Sequence, residues 1–323
     1  MIEGELTVCY STASVTGGTY NSSVGGLVGS MHNAAITRCF ATGNVTIGNK
    51  SSIAGGLVGG VTSGTVTDCY ATGAVKSITN NAVYTYGDLG GLVGLNAGTI
   101  TRCYATGSVT GGFYSNGVGG LVGSSTGTVT LCYATGAVSA GADSIYLGGL
   151  VGYNGGLCVD EVGTIVICYS TGSVTGGYNV GGLVGSSRGS MAYCYATGAV
   201  KGFYSSGGLI SETRTPLVVG SCFWNIDTSG MTTSDGGRGL STLQMKQVHY
   251  YQNMGWPGVD WVMREGAYPR LTWEGTGDPP IPEPTPLTLP GAGTVDDPYR
   301  VTTPDELAQL GWNVSALNKH YIL

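Results

Sequence analysis

The stretch "TVTDCYATGAV", residues 65–75, decides the fold, because it returns on a regular beat along the chain. It recurs as "TVTLCYATGAV" at 128–138 and as "SMAYCYATGAV" at 190–200. Eight cysteines share its register; each is followed by tyrosine or phenylalanine and preceded, three positions earlier, by an apolar residue. These cysteines are Cys9, Cys39, Cys69, Cys103, Cys132, Cys168, Cys194 and Cys222. Such internal periodicity is the signature of a repeat architecture.

A second block alternates with the first. "GGLVG" begins at residues 25, 55, 90, 119, 148 and 181, and changes to "GGLIS" at 207. The segments between the blocks vary in length, as in "KSITNNAVYTYGDL" at 76–89. Fixed blocks joined by variable loops indicate a stacked solenoid, with the blocks in its core and the insertions on its loops.

The blocks read as strands, because valine, threonine and tyrosine dominate short runs that glycine bounds. A repeat of about 30 residues cannot bury its own apolar face, so neighbouring repeats must stack. We therefore predict an all-β fold, a parallel β-solenoid (β-helix) of about seven to eight coils with a small C-terminal capping segment and an extended tail. In the opening stretch we expect Val66 and Cys69 to face the core, Tyr70 to stack on its counterparts and Gly73 to turn the chain. The three-residue offset between Val66 and Cys69 predicts a bend or bulge between them.

The alternation of "GGLVG" with "CYATGxV" resembles the GLUG-motif repeats of secreted and surface-attached bacterial proteins, over residues 1–223. "CFWNIDTSGMTTSDGGRGLSTLQMKQ" and "GWPGVDWVMREGAYPRLTWE" look like the segment that closes such arrays. "GAGTVDDPYRVTTPDELAQLGWNVSALNKHYIL" looks like the segment that opens the next array. The resemblance implies an adhesin-like solenoid that works outside the cell or at its surface.

The chain divides into four parts. The solenoid spans 1–223, and a closing segment at 224–274, with four tryptophans, is expected to cover its last coil and to begin a helix within "LSTLQMKQVHYYQNMG". A linker with six prolines follows at 275–291. Residues 292–323 read as the start of a further module, a strand plus a short helix whose capping box is Thr303 and Glu306 with Pro304 between them. We expect either a piece of a longer tandem array, or a tail that docks on the first coil of another copy and builds a head-to-tail filament.

Composition excludes several classes of protein. Charged residues are 10% of the chain and the formal net charge is −6, with no lysine or arginine cluster, so we predict no nucleic-acid binding. No apolar run is long enough for a membrane-spanning helix, so we predict no membrane insertion. "MIEGELTVCY" lacks the features of a signal peptide. This start is expected either for a cytoplasmic protein or for a chain that begins inside a longer gene, and the repeats favour the second.

The cysteine spacing argues against metal chemistry. Zinc sites use short spacings such as CxxC, which a period of about 30 residues does not provide. We interpret the eight cysteines as a structural ladder of small buried thiols, with disulfides between alternate pairs as the open alternative. Cys158 lies off this register and is the candidate free or reactive thiol. We predict no cofactor and no metal site.

A carbohydrate-active β-helix enzyme, a lyase or a hydrolase, is one alternative function. Glycoside hydrolysis needs two facing carboxyl groups, but the acids of residues 1–223 are scattered, and Asp160–Glu161 is their one adjacent pair. Asp68, Arg102 and Leu131 occupy one slot on successive coils, which we interpret as a solvated face. The three histidines lie far apart, without an evident nucleophile or orienting acid. We therefore predict no catalytic residue.

An ice-binding solenoid is a second alternative. Threonine pairs recur in "TVT" and "TIT" at 65, 99 and 128, and regular threonines on a flat solenoid face resemble the surfaces of some antifreeze solenoids. A more regular set precedes a turn, where threonine has an ordinary local hydrogen-bonding role. This set is Thr12, Thr42, Thr72, Thr106, Thr135, Thr171 and Thr197.

The favoured hypothesis is a non-enzymatic structural or adhesive module outside the cell. Its partners would be other copies of the chain, end to end, and surface glycans. Glycan contact would come from the variable loops, such as 76–89 and 139–147, where Tyr84, Tyr86 and Tyr146 could stack on sugars. The same rings could instead cover the edge of a coil.

Overall fold

The computed structural model of the chain describes residues 1–48, 52–78, 87–156, 161–214 and 219–274, with seven further residues after 293. It separates two units, Met1–Gly275 and Thr276–Leu323. In the second unit the described elements are β-strands at Tyr299–Arg300 and Tyr321–Ile322, which pair in parallel. The predicted linker at 275–291 and the predicted helix start at Thr303 lie outside the described residues.

The first unit is a parallel β-solenoid of about seven turns, which confirms the predicted fold. Each coil contributes short strands to five parallel ladders, here numbered in the order in which the chain first enters them. The first ladder carries the apolar residue before each cysteine, and the second carries the aromatic residue after it. The first ladder consists of Ile2–Thr7, the second half of Val28–Thr37, Gly64–Thr67, Thr99–Thr101, Thr128–Thr130, Thr164–Val166, Ser190–Ala192 and Val219–Gly220. The second ladder consists of Tyr10–Ser11, Phe40–Ala41, Tyr70–Ala71, Tyr104–Ala105, Tyr133–Ala134, Tyr169–Ser170, Tyr195–Ala196, Phe223–Asn225 and Arg238–Leu240.

The other three ladders complete the coil. The third ladder consists of Val15–Gly17, Val45–Ile47, Val75–Ser77, Val109–Thr110, Val138–Ser139, Val174–Gly176 and Val200–Gly202. The fourth consists of Val24–Gly25, Ile53–Gly55, Asp88–Gly90, Gly117–Gly119, Ile145–Gly148, Tyr178–Gly181 and Ser206–Gly207. The fifth consists of the first half of Val28–Thr37, Val58–Val61, Val93–Asn96, Val122–Ser125, Val151–Asn154, Val184–Ser187 and Ile210–Thr213.

The interior holds two apolar clusters separated by a narrow waist. One cluster lies between the fifth, first and second ladders, and the other between the third and fourth. At the waist the second glycine of each "GGLVG" faces the small residue after the aromatic ring, as Gly120 faces Ala134. A Cβ atom on Gly120 would lie 3.0 Å from the Cβ of Ala134 and would collide with the carbonyl oxygen of Gly149. The repeated glycine and alanine are therefore required by close packing.

The predicted bend between the apolar residue and the cysteine is present in every repeat. The residue directly before each of the eight cysteines has a positive φ between 50° and 56°, the left-handed region. Asp68, for example, has φ 54°, which lets Val66 and Cys69 both point inward despite their odd spacing. Gly73 lies in a bend with an ordinary φ, and its reason is space: a Cβ there would collide with the carbonyl oxygen of Gly43 on the preceding coil.

The closing segment continues the solenoid and then folds back. Arg238–Leu240 adds a parallel strand to the second ladder, and the hydroxyl of Ser234 accepts from the amides of Leu209 and Ile210 on the last coil. Met231 packs against both interior clusters and so closes their end. The remaining elements are helices at Ile226–Ser229, Thr242–Met245 and Val248–Gln252, strands at Trp261–Val262 and Arg270–Leu271, and a 3-10 turn at Thr272–Glu274.

The predicted helix in "LSTLQMKQVHYYQNMG" is two short helices. Ser241 caps the first through a capping box with Gln244, and the backbone becomes extended at Gln247. Met245 and Tyr251 are both buried. Six residues apart, they would point about 120° away from each other on one continuous helix. The break allows both side chains to face the core.

Candidate functional site

The eight cysteines of the repeat form a column inside the solenoid. Those from Cys39 onward are at most 2% exposed, and Cys9 on the first coil is half-buried. The amide of Cys39 donates to Sγ of Cys69 at 3.3 Å, and the thiol of Cys69 donates to the carbonyl of Thr67 at 3.1 Å. The same two contacts recur along the column. In the described chain all eight are free thiols.

The cysteine column has a packing role in the interior of the solenoid. Burial, together with contacts to the neighbouring cysteines, raises the pKa of the Cys103 and Cys168 thiols well above the ordinary value. Because the thiolate is the reactive form, Cys103 and Cys168 are poor nucleophiles at neutral pH. Along the column the sulfur instead fills a small apolar site and, from Cys39 to Cys132, accepts from the amide of the preceding cysteine. Cys158 and Asp160 lie outside the described residues.

The aromatic rings after the cysteines stack in a second column. Centroids of successive rings lie 4.9–5.0 Å apart from Tyr10 to Tyr195, with interplanar angles of 7° or less. The closing segment covers the C-terminal part of this column with Trp256, Trp261 and Trp273. The indole N–H of Trp273 donates to the carbonyl of Leu131, and that of Trp256 to the carbonyl of Ser221. The segment thus runs along the side of the coils as well as over their end.

A buried carboxylate fixes the closing segment to the solenoid. The Glu274 side chain is 2% exposed and accepts from the hydroxyl of Tyr169 at 2.7 Å. It also accepts from the guanidinium of Arg270 and from the amide of Leu271. Burial raises the pKa of Tyr169 well above its ordinary value, so its phenol remains a donor. The neighbouring hydroxyl of Tyr195 donates to the carbonyl of Pro269 at 2.7 Å.

The slot before each cysteine is only partly solvated, which corrects the sequence interpretation. On the N-terminal coils Arg102 forms a bidentate ion pair with Asp68, at 2.6 and 2.9 Å. On the later coils the same slot holds Leu131, Ile167 and Tyr193, which pack against the closing segment. The position before the cysteine can hold a charged residue on one coil and leucine on another because its surroundings change along the stack of coils. A switch from charged to apolar residues at this position is the sequence signal that marks the covered coils.

Tyr146 is the predicted contact residue that the structure describes; Tyr84 and Tyr86 lie outside the described residues. Its ring stacks on Tyr153 at 4.8 Å, and the guanidinium of Arg214 lies over it, 5.5 Å from the centroid. Arg214 also donates to the hydroxyl of Tyr146 and to the carboxylate of Glu212. The ring of Tyr146 is therefore packed against two side chains of its own chain. This is the arrangement expected of a ring that covers the edge of a coil.

The backbone at this cluster departs from the repeat. Tyr146 and Asn179, on adjacent coils, have φ of 57° and 51° within the fourth ladder. Non-glycine residues in the left-handed region carry strain that local contacts must offset. Asn179 donates to Glu212, which also accepts from Ser186 and Arg214. The polar network around Glu212 holds this bulge in place.

Asp88 is a polar feature that sequence reasoning did not single out. It begins a strand of the fourth ladder and accepts from the hydroxyl of Ser124 at 2.6 Å. Burial raises the pKa of Asp88 to about 6, while the Ser124 hydroxyl and the amide of Gly117 oppose that shift. Its only sequence signal was a carboxylate two residues before a "GGLVG" block.

The described chain shows neither a group of metal-ligating side chains nor a membrane-spanning helix. There, no three histidine, cysteine or acidic side chains are grouped to hold a metal ion. None of the helices among the same residues is long and apolar enough to cross a membrane.

Comparison with protein families supplies the identification. The model of the GLUG motif matches residues 20–46, 51–78, 85–110 and 176–201. The solenoid carries four GLUG repeats. No curated protein and no solved structure matches it.

Each matched GLUG segment corresponds to one coil. The match at 51–78 runs from the fourth ladder through Cys69 and Tyr70 to the end of the third ladder at Ser77. The coils between residues 110 and 176 have the same ladders in register although no match covers them. They carry the Tyr146 bulge and the insertion that contains Cys158, so local departures from the repeat coincide with this gap.

Proposed function

We propose that this GLUG-repeat chain is a non-enzymatic structural and adhesive module that works outside the cell or at the cell surface. One observation carries the proposal: the residue types that often perform chemistry are used in packing. The thiols lie in the interior column, and the phenols stack under the closing segment. A stack of in-register parallel strands presents few flexible segments to a protease, which suits a rod exposed to the environment.

The described carboxylates of the solenoid support the non-enzymatic part of the proposal. Asp68 pairs with Arg102, Asp88 with Ser124, and Glu212 with Arg214. These three pairs lie on different ladders or coils, so each carboxylate serves a local contact. A glycosidase would need two such groups across one cleft.

Binding and product release, measured in the same tube, test this function. The purified chain is incubated with insoluble cell-wall and matrix polysaccharides, and bound protein and released sugar are both measured. Binding without reducing sugar or unsaturated product supports the proposal. Product that increases with protein concentration overturns it. Antibody detection in fractions of the producing cells tests location, and protein confined to the cytoplasm would overturn the extracellular role.

Self-assembly is a separable part of the proposal. We propose that residues 292–323 add strands to the first coil of another copy, since parallel strands readily extend an open edge. Electron microscopy compares the full chain with a chain ending at Gly275. Filaments formed only by the full chain support the docking. Full chains that stay monomeric at every concentration overturn it and leave the adhesive function standing.

A second candidate function, ice binding, is favoured by the threonine column that begins at Thr12. Six of its seven side chains are exposed, and the amide of each from Thr42 onward donates to the preceding coil, so they are in register. Among the described residues none of the seven hydroxyls has a hydrogen-bond partner, in contrast to the local role expected from sequence.

Thermal hysteresis at high protein concentration tests ice binding. Replacement of Thr106 and Thr135 by tyrosine disrupts the column, whereas the exposed Thr65→Tyr on the first ladder is the control. Hysteresis that only the double variant loses supports this function. Absence of thermal hysteresis in the wild-type chain would contradict ice binding.

A further inference from the structure

The exposed aromatic residues of the solenoid gather at one corner. The turn between the third and fourth ladders, here called the aromatic corner, contains Tyr20, Phe113, Phe203 and Tyr204, which are 71%, 52%, 59% and 65% exposed. Ile78, in the same turn, is 47% exposed. Over residues 1–223, the other large apolar side chains described as exposed are Met1 and Val162. Apolar rings collected at one edge of a soluble rod mark a contact surface.

Four of the seven turns between the third and fourth ladders share a composition although their lengths differ. They read "GTYNSS" at 18–23, "GGFYSN" at 111–116, "GGYN" at 176–179 and "GFYSS" at 202–206. Each combines glycine, one or two aromatic rings, and serine or asparagine. Loops rich in tyrosine, serine, glycine and asparagine on a rigid β-scaffold are typical of recognition surfaces.

A shallow pocket of about 340 Å³ lies at this corner, between successive coils. Phe113 and Ile78 are the large apolar residues of its lining, which also includes Lys76, Gly111 and Gly141. A Cβ on Gly141 would lie 2.8 Å from the Cα of Phe113, so this position requires glycine. The result is an apolar ring beside accessible backbone, which suits a ligand with both apolar and hydrogen-bonding faces.

Further along the corner, two rings are stacked on adjacent coils. Tyr178 and Tyr204 have centroids 3.9 Å apart and planes within 1° of parallel. The Tyr178 ring is half-buried, whereas Tyr204 is mostly exposed. The ring of Tyr146, by contrast, is packed against Tyr153 and Arg214. The corner therefore offers aromatic surface that the Tyr146 cluster does not.

The scarcity of charged side chains at the aromatic corner favours an uncharged ligand. The exposed charged side chains described in these turns and their flanking strand ends are Lys76, Asp143 and Lys201, which are spread over different coils. A row of rings, hydroxyls and amides with so little charge is complementary to an uncharged sugar polymer. Rings on several coils of one corner suit an extended chain that lies along the solenoid axis.

We propose that the aromatic corner binds an extended, uncharged polysaccharide, with one sugar ring in the Phe113 pocket and further rings on Tyr178 and Tyr204. The inference rests on the proposed adhesive function and names its surface and ligand class. Hydroxyls of the polymer meet Ser and Asn side chains and the backbone at Gly111 and Gly141. Along each coil the threonine column precedes the third ladder, and the aromatic corner follows it.

Affinity electrophoresis of the full chain tests the inference, with hydroxyethyl cellulose, xylan, galactomannan and polygalacturonate as probes. Phe113→Ala with Tyr204→Ala removes two exposed rings. Leu243→Ala, which truncates a 72% exposed side chain of the closing segment, is the matched control. We expect the wild type to bind at least one neutral polymer, the double variant to bind it about tenfold or more weakly, and the control to match the wild type. The binding should be insensitive to salt, and equal melting temperatures verify folding.

The possible failures are distinguishable. Equal retardation of the double variant and the wild type would contradict polysaccharide binding at the aromatic corner and would leave the proposed adhesive function standing. Binding to polygalacturonate alone, lost in high salt, overturns the uncharged ligand class. A chain that adheres to cell-wall material but to none of the soluble neutral polymers overturns this inference alone. A chain that binds neither overturns the adhesive function as well.

Discussion

A buried thiol of the cysteine column such as Cys132 has two tasks, filling a small apolar site and accepting a hydrogen bond from the preceding coil. At Cys132 the sulfur accepts from the amide of Cys103 at 3.4 Å and its proton goes to the carbonyl of Thr130 at 3.0 Å. Sulfur suits both tasks because it is large and a weak acceptor, so little is lost on leaving water. A hydroxyl would be smaller and more costly to bury.

Replacing Cys132 by alanine should therefore destabilise the chain. The change leaves a small void and a buried amide of Cys103 without its acceptor, so we expect a loss of about 1–3 kcal/mol in the free energy of unfolding. Urea denaturation measures it. Cys9→Ala on the first coil, where the side chain is half-buried, should cost clearly less. Equal costs at the two positions would contradict this account of the column.

Asp88 makes stability depend on pH in the opposite direction to most carboxylates. Its pKa is raised from 3.8 to about 6, so the folded chain holds the proton more tightly than the unfolded chain. Its contribution is fully present below pH 3.8 and is lost as the pH rises through 6. Because Asp88 is only half-buried, we expect Asp88→Asn to stabilise the chain by about 1 kcal/mol at neutral pH.

The same substitution should have almost no effect below pH 3.8, where Asp88 is already protonated in both states. Urea denaturation at the two pH values gives the difference. Asp143→Asn, at an exposed site, is the control. A gain from Asp88→Asn that is equal at both pH values would show that packing, not ionisation, is responsible.

At the scale of elements, the closing segment is attached by few polar contacts and many rings. The hydroxyl of Tyr169 is one of these polar contacts, and it reaches Glu274 from the solenoid side. Tyr169→Phe removes that donor and leaves a buried carboxylate with fewer partners. We expect a loss of about 1–3 kcal/mol, with faster hydrogen exchange confined first to residues 241–274.

Tyr193→Phe is the matched control for this change. Tyr193 contacts Trp256 edge-on, and its hydroxyl has no hydrogen-bond partner among the described residues. Its removal should alter stability by less than about 0.5 kcal/mol. Uniform acceleration of exchange across the solenoid in Tyr169→Phe would mean that the segment and the coils unfold as one unit.

The narrow waist between the two apolar clusters is the part of the solenoid that should tolerate substitution least. Gly120→Ala places a methyl group against the carbonyl of Gly149 and the side chain of Ala134, and both belong to tightly stacked elements. We expect a loss of about 3 kcal/mol or failure to fold, because neither neighbour can move without its ladder. Gly258→Ala, where no atom lies within 4 Å, should be nearly neutral in a melting experiment. A stable Gly120→Ala chain would show that the coils can separate.

The elements differ in how far the sequence could predict them. The positions of Val66, Cys69 and Tyr70 could be predicted from their repetition. Residues that stack in a column recur at the same offset in every repeat of the sequence. The number of ladders did not follow, because strands of two or three residues lack a recognisable period. The path of the closing segment depended on contacts of its end with Tyr169 and Leu131, which lie 105 and 142 residues earlier in the chain. Tyr146 could not be predicted as a packed ring, since Arg214 reaches it from two coils further on.

At the scale of the molecule, the solenoid is a sum of similar coils, each held by its neighbours. Deletion of residues 91–119 tests this property, because Gly90 and Gly119 are register partners. The joined chain would step from Gly90 to Gly120 as the native chain steps from Gly119 to Gly120. All five ladders would remain in register with one strand fewer, and the lost pair of Asp68 with Arg102 is partly exposed and costs at most about 1 kcal/mol.

We expect this deletion chain to be monomeric and β-rich by circular dichroism and to melt cooperatively. Its maximum dimension in small-angle scattering should be shorter by about one strand spacing, roughly 4.8 Å. Deletion of residues 91–105 is the control, since it joins Gly90 to Thr106, removes half a coil and brings unlike ladders together. That chain should aggregate or remain unfolded. If both deletions unfold the chain, the solenoid is a single cooperative core; if both are tolerated, register between coils contributes little to its stability.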